Sequence, residues 1–417
     1  MQKLFFLLFV LFCLPLNAQS NESRFILSGY GESVYSYFDY GPDQRSGVNG
    51  SPPDSRAIVD LPRVVTKMKY YFDPSMYVEL EIEYEHGGTG GALELEFEEF
   101  GEFEQEVEKG GEIIIPEFYL KKTFTKQFAL RAGHFVIPIG ILNRYHKPND
   151  YLTVQRSESE TSLLPTSWNE TGVSISGSWR TFGYQVGLVN GLDGTGFSSK
   201  FWIRDGYQGR FEQIDATDLA YYAHVNYQPM EQLELAGSVY RGNTTGNRPK
   251  DDMEGISANI TITEAHLRWR SERFVLSGQY LYGNLQNSDV VTRFNGLLSN
   301  NLGVARTPVA KNALIYFAEG GVNILPFVQP GAAKKLIPFI RYEYYNSMED
   351  VEGVVFADPR FERNVFTGGI NFMPHSNAIV KAEYSHRTLG DDRFNDENTF
   401  SLGMQVQGTF LNLLSGN

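Results

Sequence analysis

The chain has 417 residues, among them 41 glycines, 30 phenylalanines and 24 tyrosines, with a net charge of −14 and a mean hydropathy of −0.30. One cysteine, Cys13, rules out disulfides within the chain and thiol-based metal centres, and an acidic balance without a basic cluster rules against nucleic acid as a partner. Beyond the N-terminal segment no apolar run reaches the roughly 18 residues that a transmembrane helix requires.

The first residues, MQKLFFLLFVLFCLPLNAQS, put Lys3 ahead of an apolar run from Leu4 to Leu14, followed by Pro15 and the small Ala18. That layout predicts a secretory signal over 1–18, cleaved after Ala18, so that the mature protein starts at Gln19. The competing reading is an acyl anchor on Cys13, which needs a small residue where Phe12 stands.

From there alternating segments of about ten residues recur along the chain. They predict sixteen strands, at 24–38, 57–72, 76–86, 113–124, 127–135, 169–179, 182–190, 215–228, 232–241, 256–269, 272–285, 309–325, 335–346, 360–373, 377–388 and 397–410. In the third, Val78, Leu80, Ile82 and Tyr84 alternate with Glu79, Glu81, Glu83 and Glu85, so one face is apolar and the other charged. The second does the same with opposite sign through Arg63, Lys67 and Lys69.

The connections sort by parity. Those after every second strand are tight, as at Asp73-Pro74-Ser75, Thr125-Lys126 and Arg180-Thr181; the stretch Pro326 to Lys334 alone is longer than its class. The others are long, at 39–56, 87–112, 136–168, 191–214, 242–255, 286–308 and 347–359. A soluble sandwich has no reason for that sorting, whereas short periplasmic turns and long external loops are the outer-membrane arrangement. The expected fold class is therefore all-β: a closed antiparallel transmembrane β-barrel over 19–417, set in the outer membrane among lipid and lipopolysaccharide.

Three constellations are candidates for function. A tight turn at Asp73-Pro74-Ser75 places Lys69 opposite Glu79, Lys67 opposite Glu81 and Arg63 near Glu85, a lumen ladder that either braces the wall or lines a permeation path. The acidic loop 87–112 carries eight glutamates between Glu94 and Glu108, and Phe97, Phe100, Phe103 and Val107 at helical spacing predict a short amphipathic helix before Gly110-Gly111. Its carboxylates read as a solvated face or as ligands for divalent cations. The long loop 136–168 is the third at the outer rim and carries Arg144, His146, Lys147 and Arg156, with Arg131 just before it.

Here the sequence resembles a family. RAGHFVIPIG, from Arg131 to Gly140, and the GVSISG run at Gly172 are similar to segments of the phosphate-selective porins. The resemblance implies a sixteen-stranded, often trimeric porin whose third loop folds inward, which would place Arg131, Arg144, His146, Lys147 and Arg156 at the pore constriction. The chain departs from that family in being acidic, with few arginines and lysines near the loop.

For catalysis there is no nucleophile elbow, no HExxH and no phosphate loop, and seven histidines are scattered. No enzyme activity, cofactor or resident metal is expected. The expected function is passive diffusion of small hydrophilic solutes or ions through a lumen narrowed by the third loop, with weak ion selectivity that drifts toward cations in dilute salt. The alternative is a plugged barrel acting as a surface adhesin, binding protein or enzyme.

Overall fold

Period-two alternation runs through every wall segment and settles which face each side chain takes. The computed structural model describes residues 24–42, 53–88, 90–96, 104–110, 112–208, 213–298 and 306–414; the leader expected over 1–18 lies outside them. Its strands are β1 (Phe25–Pro42), β2 (Pro53–Asp60), β3 (Arg63–Asp73), β4 (Met76–Glu85), β5 (Gly90–Glu96), β6 (Glu104–Gly110), β7 (Ile113–Thr125), β8 (Phe128–Val136), β9 (Asn169–Trp179) and β10 (Phe182–Asn190). They continue with β11 (Leu219–Met230), β12 (Leu233–Asn243), β13 (Asn259–Arg270), β14 (Phe274–Leu285), β15 (Asn312–Val322), β16 (Lys335–Asp350), β17 (Glu362–His375), β18 (Ala378–Leu389) and β19 (Glu397–Asn412). Among the described residues, four short α-helices lie in the connections: α1 (Ile141–Arg144), α2 (Glu158–Leu163), α3 (Ser288–Asn295) and α4 (Leu325–Val328).

Antiparallel pairing closes the sheet on itself. β1 pairs with β19 from Ile26↔Asn412 to Asp39↔Asn398, which removes the open edge that hydrocarbon would penalise. On its other side β1 meets two strands in succession, β3 between Phe25↔Tyr70 and Gly31↔Val64, then β2 between Val34↔Asp60 and Pro42↔Pro53. Seventeen strands thus fill sixteen wall positions. The single strand expected at 57–72 is broken at Leu61-Pro62, because Pro62 has no N–H to donate to a ladder. The remaining expected strands each correspond to one wall strand, with ends shifted by up to four residues.

The acidic loop corrects the sequence reading. β5 pairs with β6 from Gly90↔Gly110 to Glu96↔Glu104, a hairpin where a helix was expected. Both arms alternate in period two, Leu93 and Leu95 against Glu94 and Glu96, then Gln105 and Val107 against Glu104, Glu106 and Glu108. The helical spacing rested on Phe97, Phe100 and Phe103, which lie outside the described residues.

Burial runs opposite to that of a soluble protein. Tyr70, Phe72, Tyr221, Val225, Leu276, Tyr280, Ile340, Phe366, Val380 and Met404 are exposed on the outer face, whereas Glu79, Glu81, Arg341, Glu343, Lys381 and Glu383 are buried inside. An apolar outer belt around a polar interior is stable only in lipid. At the rim with short turns, Arg180 stacks on exposed Trp179 at 5.2 Å and Arg273 on exposed Phe327 at 5.2 Å, the cation and aromatic mixture of a membrane interface. The long connection between β15 and β16 holds α4 at this rim.

Inside the outer half of the barrel, inward residues of β13 to β15 turn apolar. Ile260, Ile262, Leu281, Leu285, Ala313 and Ile315 pack with Leu192, Phe197, Trp202, Val291 and Val309 from the long loops. That layer fills one side of the lumen and joins Ile137, Ile139, Leu163 and Trp168 of the third loop.

Candidate functional site

The tight turn between β3 and β4 sets a register in which Lys69 faces Glu79, Lys67 faces Glu81 and Arg63 faces Glu85. Lys69 Nζ lies 2.6 Å from Glu79, while Lys67 Nζ lies 2.6 Å from Glu81, 3.1 Å from Glu79 and 2.8 Å from Glu117 of β7. Arg63 departs from the expectation. Its guanidinium turns away from Glu85 to pair with Glu32 of β1, with Glu83 at 3.9 Å, and donates to Tyr30 Oη at 3.2 Å. The reason is geometric: the β1–β3 register, which runs up to Gly31↔Val64, brings Glu32 opposite Arg63 across the first hairpin, whose long loop leaves that register open in the sequence.

The connection from 137 to 168 enters the lumen and crosses it. Glu160 of α2 accepts from the backbone N–H groups of Ile141 and Leu142 at 3.0 Å each, fixing α1 against α2. Asn143 donates to the Ile139 carbonyl at 2.7 Å and accepts from Trp168 N at 2.6 Å, which ties the loop's two ends together. Arg144 reaches the wall at β11 and β12, donating to His224 Nε2 at 2.9 Å and lying 3.1 Å from Glu234. On the opposite wall Glu158 meets Arg387 and accepts from Tyr345 Oη at 2.5 Å; although burial opposes ionisation, Arg387 holds its carboxyl below the usual range. Glu343 accepts from Ser157 Oγ at 2.7 Å and from Ser159 N at 3.0 Å.

Between these anchors, residues 148–154 form a bent, irregular strap whose carbonyls all meet wall side chains. Lys381 Nζ donates to Pro148, Tyr151 and Thr153 at 2.9, 2.9 and 2.8 Å. Arg270 serves Asn149 at 2.8 Å and also Asp150, Asn371 serves Leu152 at 2.9 Å, and Gln405 serves Val154 at 3.1 Å. Glu383 accepts from Val154 N at 2.6 Å. Irregular backbone inside a barrel needs such partners, since each buried carbonyl left unmet costs about 1–3 kcal/mol.

The residues expected at a constriction do not form one cluster. His146 and Arg156 gather near Arg63; the His146 carbonyl accepts from Arg63 Nη2 at 3.0 Å, and Arg156 Nη1 has no hydrogen-bond partner among the described residues. Burial first, then the Lys67, Arg63, Arg156 and Lys147 cations, hold the His146 imidazole well below its ordinary pKa, so it is neutral. Lys147 is exposed and lines a cavity with Lys67. Arg144 stands across the lumen, and Arg131 stays on its own wall, donating to Ser174 Oγ at 3.2 Å and stacking on Phe135 at 3.8 Å. Sequence reading missed Lys381, Asn371, Gln405, Arg341 and Glu343. The available signal was a charge at the inward parity of a spanning strand, as in Lys381 between Ile379 and Glu383.

Four cavities border the loop. One of 270 Å³ opens toward the long-loop rim and is lined by Tyr40, Thr153, Arg156, Glu158, Glu383 and Arg387 among others. Three lie toward the short-turn rim, of 530, 470 and 310 Å³. The largest is lined by Lys121, Lys126, Arg144 and Arg180 and by no carboxylate. Among the described residues no group of three or more histidines, cysteines and carboxylates is arranged to hold a metal ion.

No protein-family model matches the chain. A protein of Aquifex aeolicus (strain VF5), described as uncharacterized, is 24% identical over 372 residues, covering 89% of this chain and 77% of its own length. Among solved structures, the outer-membrane channel DcaP of Acinetobacter baumannii superposes with a TM-score of 0.56 at 12% identity, covering 95% of this chain and all of that one. The anion-selective porin of Comamonas acidovorans gives a TM-score of 0.52 at 10% identity, covering 93% of this chain and 100% of that one. At such identities the likeness is one of fold, and with the closed wall and its apolar outer belt it makes this chain an outer-membrane β-barrel of the porin fold.

Proposed function

We propose that the barrel is a passive diffusion channel for small hydrophilic solutes or ions, narrowed by the loop at 137–168. The observation that carries this reading is the loop itself, a polar crossing of the lumen with polar-lined cavities on both of its sides. The protein supplies width and charge and performs no chemistry. Arg156 and Lys147 are the loop cations at the constriction, His146 shapes it as a neutral ring, Arg144 braces it, and Arg131 charges the wall beside it. The Arg63, Lys67, Lys69, Glu79, Glu81, Glu83 and Glu85 face lines the same passage, each of its three cations paired with a carboxylate in place. A homotrimer in lipopolysaccharide, as the phosphate-selective porin resemblance suggests, belongs to the same proposal.

One observation favours a second reading. The apolar layer around Trp202, Ile260 and Leu285 closes part of the outer half of the lumen, as a plug would. Planar-bilayer recording of the folded protein separates the two: discrete conductance steps support the channel, and a folded, inserted barrel that passes no current supports a plug.

A further inference from the structure

The strap at 148–154 lies between two cavities. Thr153 lines the 270 Å³ cavity of the outer side, and Asn149, Tyr151 and Leu152 line the 310 Å³ cavity of the inner side. The wall is shaped to receive it. A Cβ on Gly321 would come within 2.8 Å of Leu152 Cδ1, and one on Gly403 within 2.8 Å of Val154 Cγ1, so both strap side chains seat where the wall has no side chain.

The other wall donors hold one carbonyl of the strap or two adjacent ones: Asn371 meets Leu152, Gln405 meets Val154, and Arg270 meets Asn149 and Asp150. Lys381 differs. It is fully buried, and its three N–H donors are consumed by the carbonyls of Pro148, Tyr151 and Thr153, while its ammonium sits 4.3 Å from the Tyr151 ring centroid. It therefore joins the two ends of the strap through one atom.

We propose that Lys381 is a positioning residue, the latch that keeps the strap across the lumen and so closes the β13 to β19 side to solute. Its removal orphans three buried carbonyls at once and frees the strap to part from the wall, joining the outer and inner cavities into one path. The inference rests on the channel reading, because it names what sets the channel's width.

The test is Lys381→Met in the full chain, with folding checked by faster migration of the unboiled protein on a detergent gel. Loss of the latch is expected to raise single-channel conductance about twofold and to admit larger sugars in liposome swelling. Trypsin cleavage after Arg156 is expected to quicken about tenfold as the strap opens locally. The pair Val154→Cys and Gly403→Cys, whose Cβ atoms would stand 3.7 Å apart, meets the spacing of a disulfide. Combined with Lys381→Met, the oxidised pair should return both readouts to their original values, and reduction should release them again. A folded Lys381→Met protein with unchanged conductance and unchanged cleavage would overturn the latch. If the parent protein is folded but passes no current, the channel reading fails, and cleavage after Arg156, with and without the disulfide, decides the latch by itself.

Discussion

Glu160 accepts a hydrogen bond from the backbone N–H of Ile141 at 3.0 Å, nineteen residues before it, and through this bond α2 holds the entry of the third loop. Burial pushes the Glu160 carboxyl up to about 7; the bonds from Leu142 and Ile141 act against that rise and Glu264 adds to it. A carboxyl whose folded pKa lies above its unfolded value contributes stability that is fully present below the unfolded pKa and is lost as pH rises through the folded one. Trypsin nicking of the loop should therefore be slow near pH 4.5, quicken by up to about tenfold per pH unit as pH rises to about 7, and level off above that. Glu160→Gln should flatten that profile. A nicking rate independent of pH between 5 and 9 would contradict it.

Lys67 is the shared partner of Glu79, Glu81 and Glu117. Lys67→Met leaves three buried carboxylates without their common cation, and breaking a buried ion pair from one side costs about 3–5 kcal/mol. Unfolding in urea, followed by gel mobility, should shift by that amount at pH 7.5. The double change Lys67→Met with Glu81→Gln should recover part of the loss.

The two faces of the wall should respond in opposite ways to charge. Val225 of β11 is 52% exposed to lipid, next to inward His224, which is 1% exposed. Val225→Arg places a charge on the lipid face and should destabilise the folded barrel by about 2–4 kcal/mol. Spin labels at Val78, Leu80 and Ile82 should be accessible to oxygen, whereas a label at Glu81 should not. Indistinguishable labels on the two parities would refute the wall assignment.

Charge is distributed unevenly along the lumen axis. Toward the short-turn rim, Lys121, Lys126, Arg144 and Arg180 line one cavity and Lys67 and Lys147 another, neither with a carboxylate in its lining. The external loops are acidic, led by Glu94 to Glu108. Opposing ends predict weak net selectivity at 1 M salt, where the Debye length is about 3 Å. They also predict an asymmetric current–voltage curve in dilute salt, where it reaches about 30 Å. Lys121→Gln with Lys126→Gln should move the reversal potential toward cations and reduce the asymmetry. A symmetric curve at 10 mM salt in the original protein would show that these groups do not face the ion path.

What the sequence determined by itself is what local geometry controls. Alternation with period two assigned Val78, Leu80 and Ile82 to one face and Glu79, Glu81 and Glu83 to the other, and the three-residue turn at Asp73-Pro74-Ser75 allowed a register that pairs Lys69 with Glu79 and Lys67 with Glu81. Loop lengths sorted by parity were enough for a closed barrel. Even locally, the acidic loop misled, because Phe97, Phe100 and Phe103 suit a helix while the glutamate arms on either side alternate as strands. Tertiary structure alone decided the rest. Arg63 turned to Glu32 because the register of the first hairpin, joined by a long loop, brings them opposite each other, and Pro62 split one wall position into two strands. The strap at 148–154 meets Lys381 and Gln405 across separations of 228 to 251 residues. Such contacts have no sequence period: they exist because the barrel closes around the loop, and each buried carbonyl must then find a donor on whichever strand the closed wall presents.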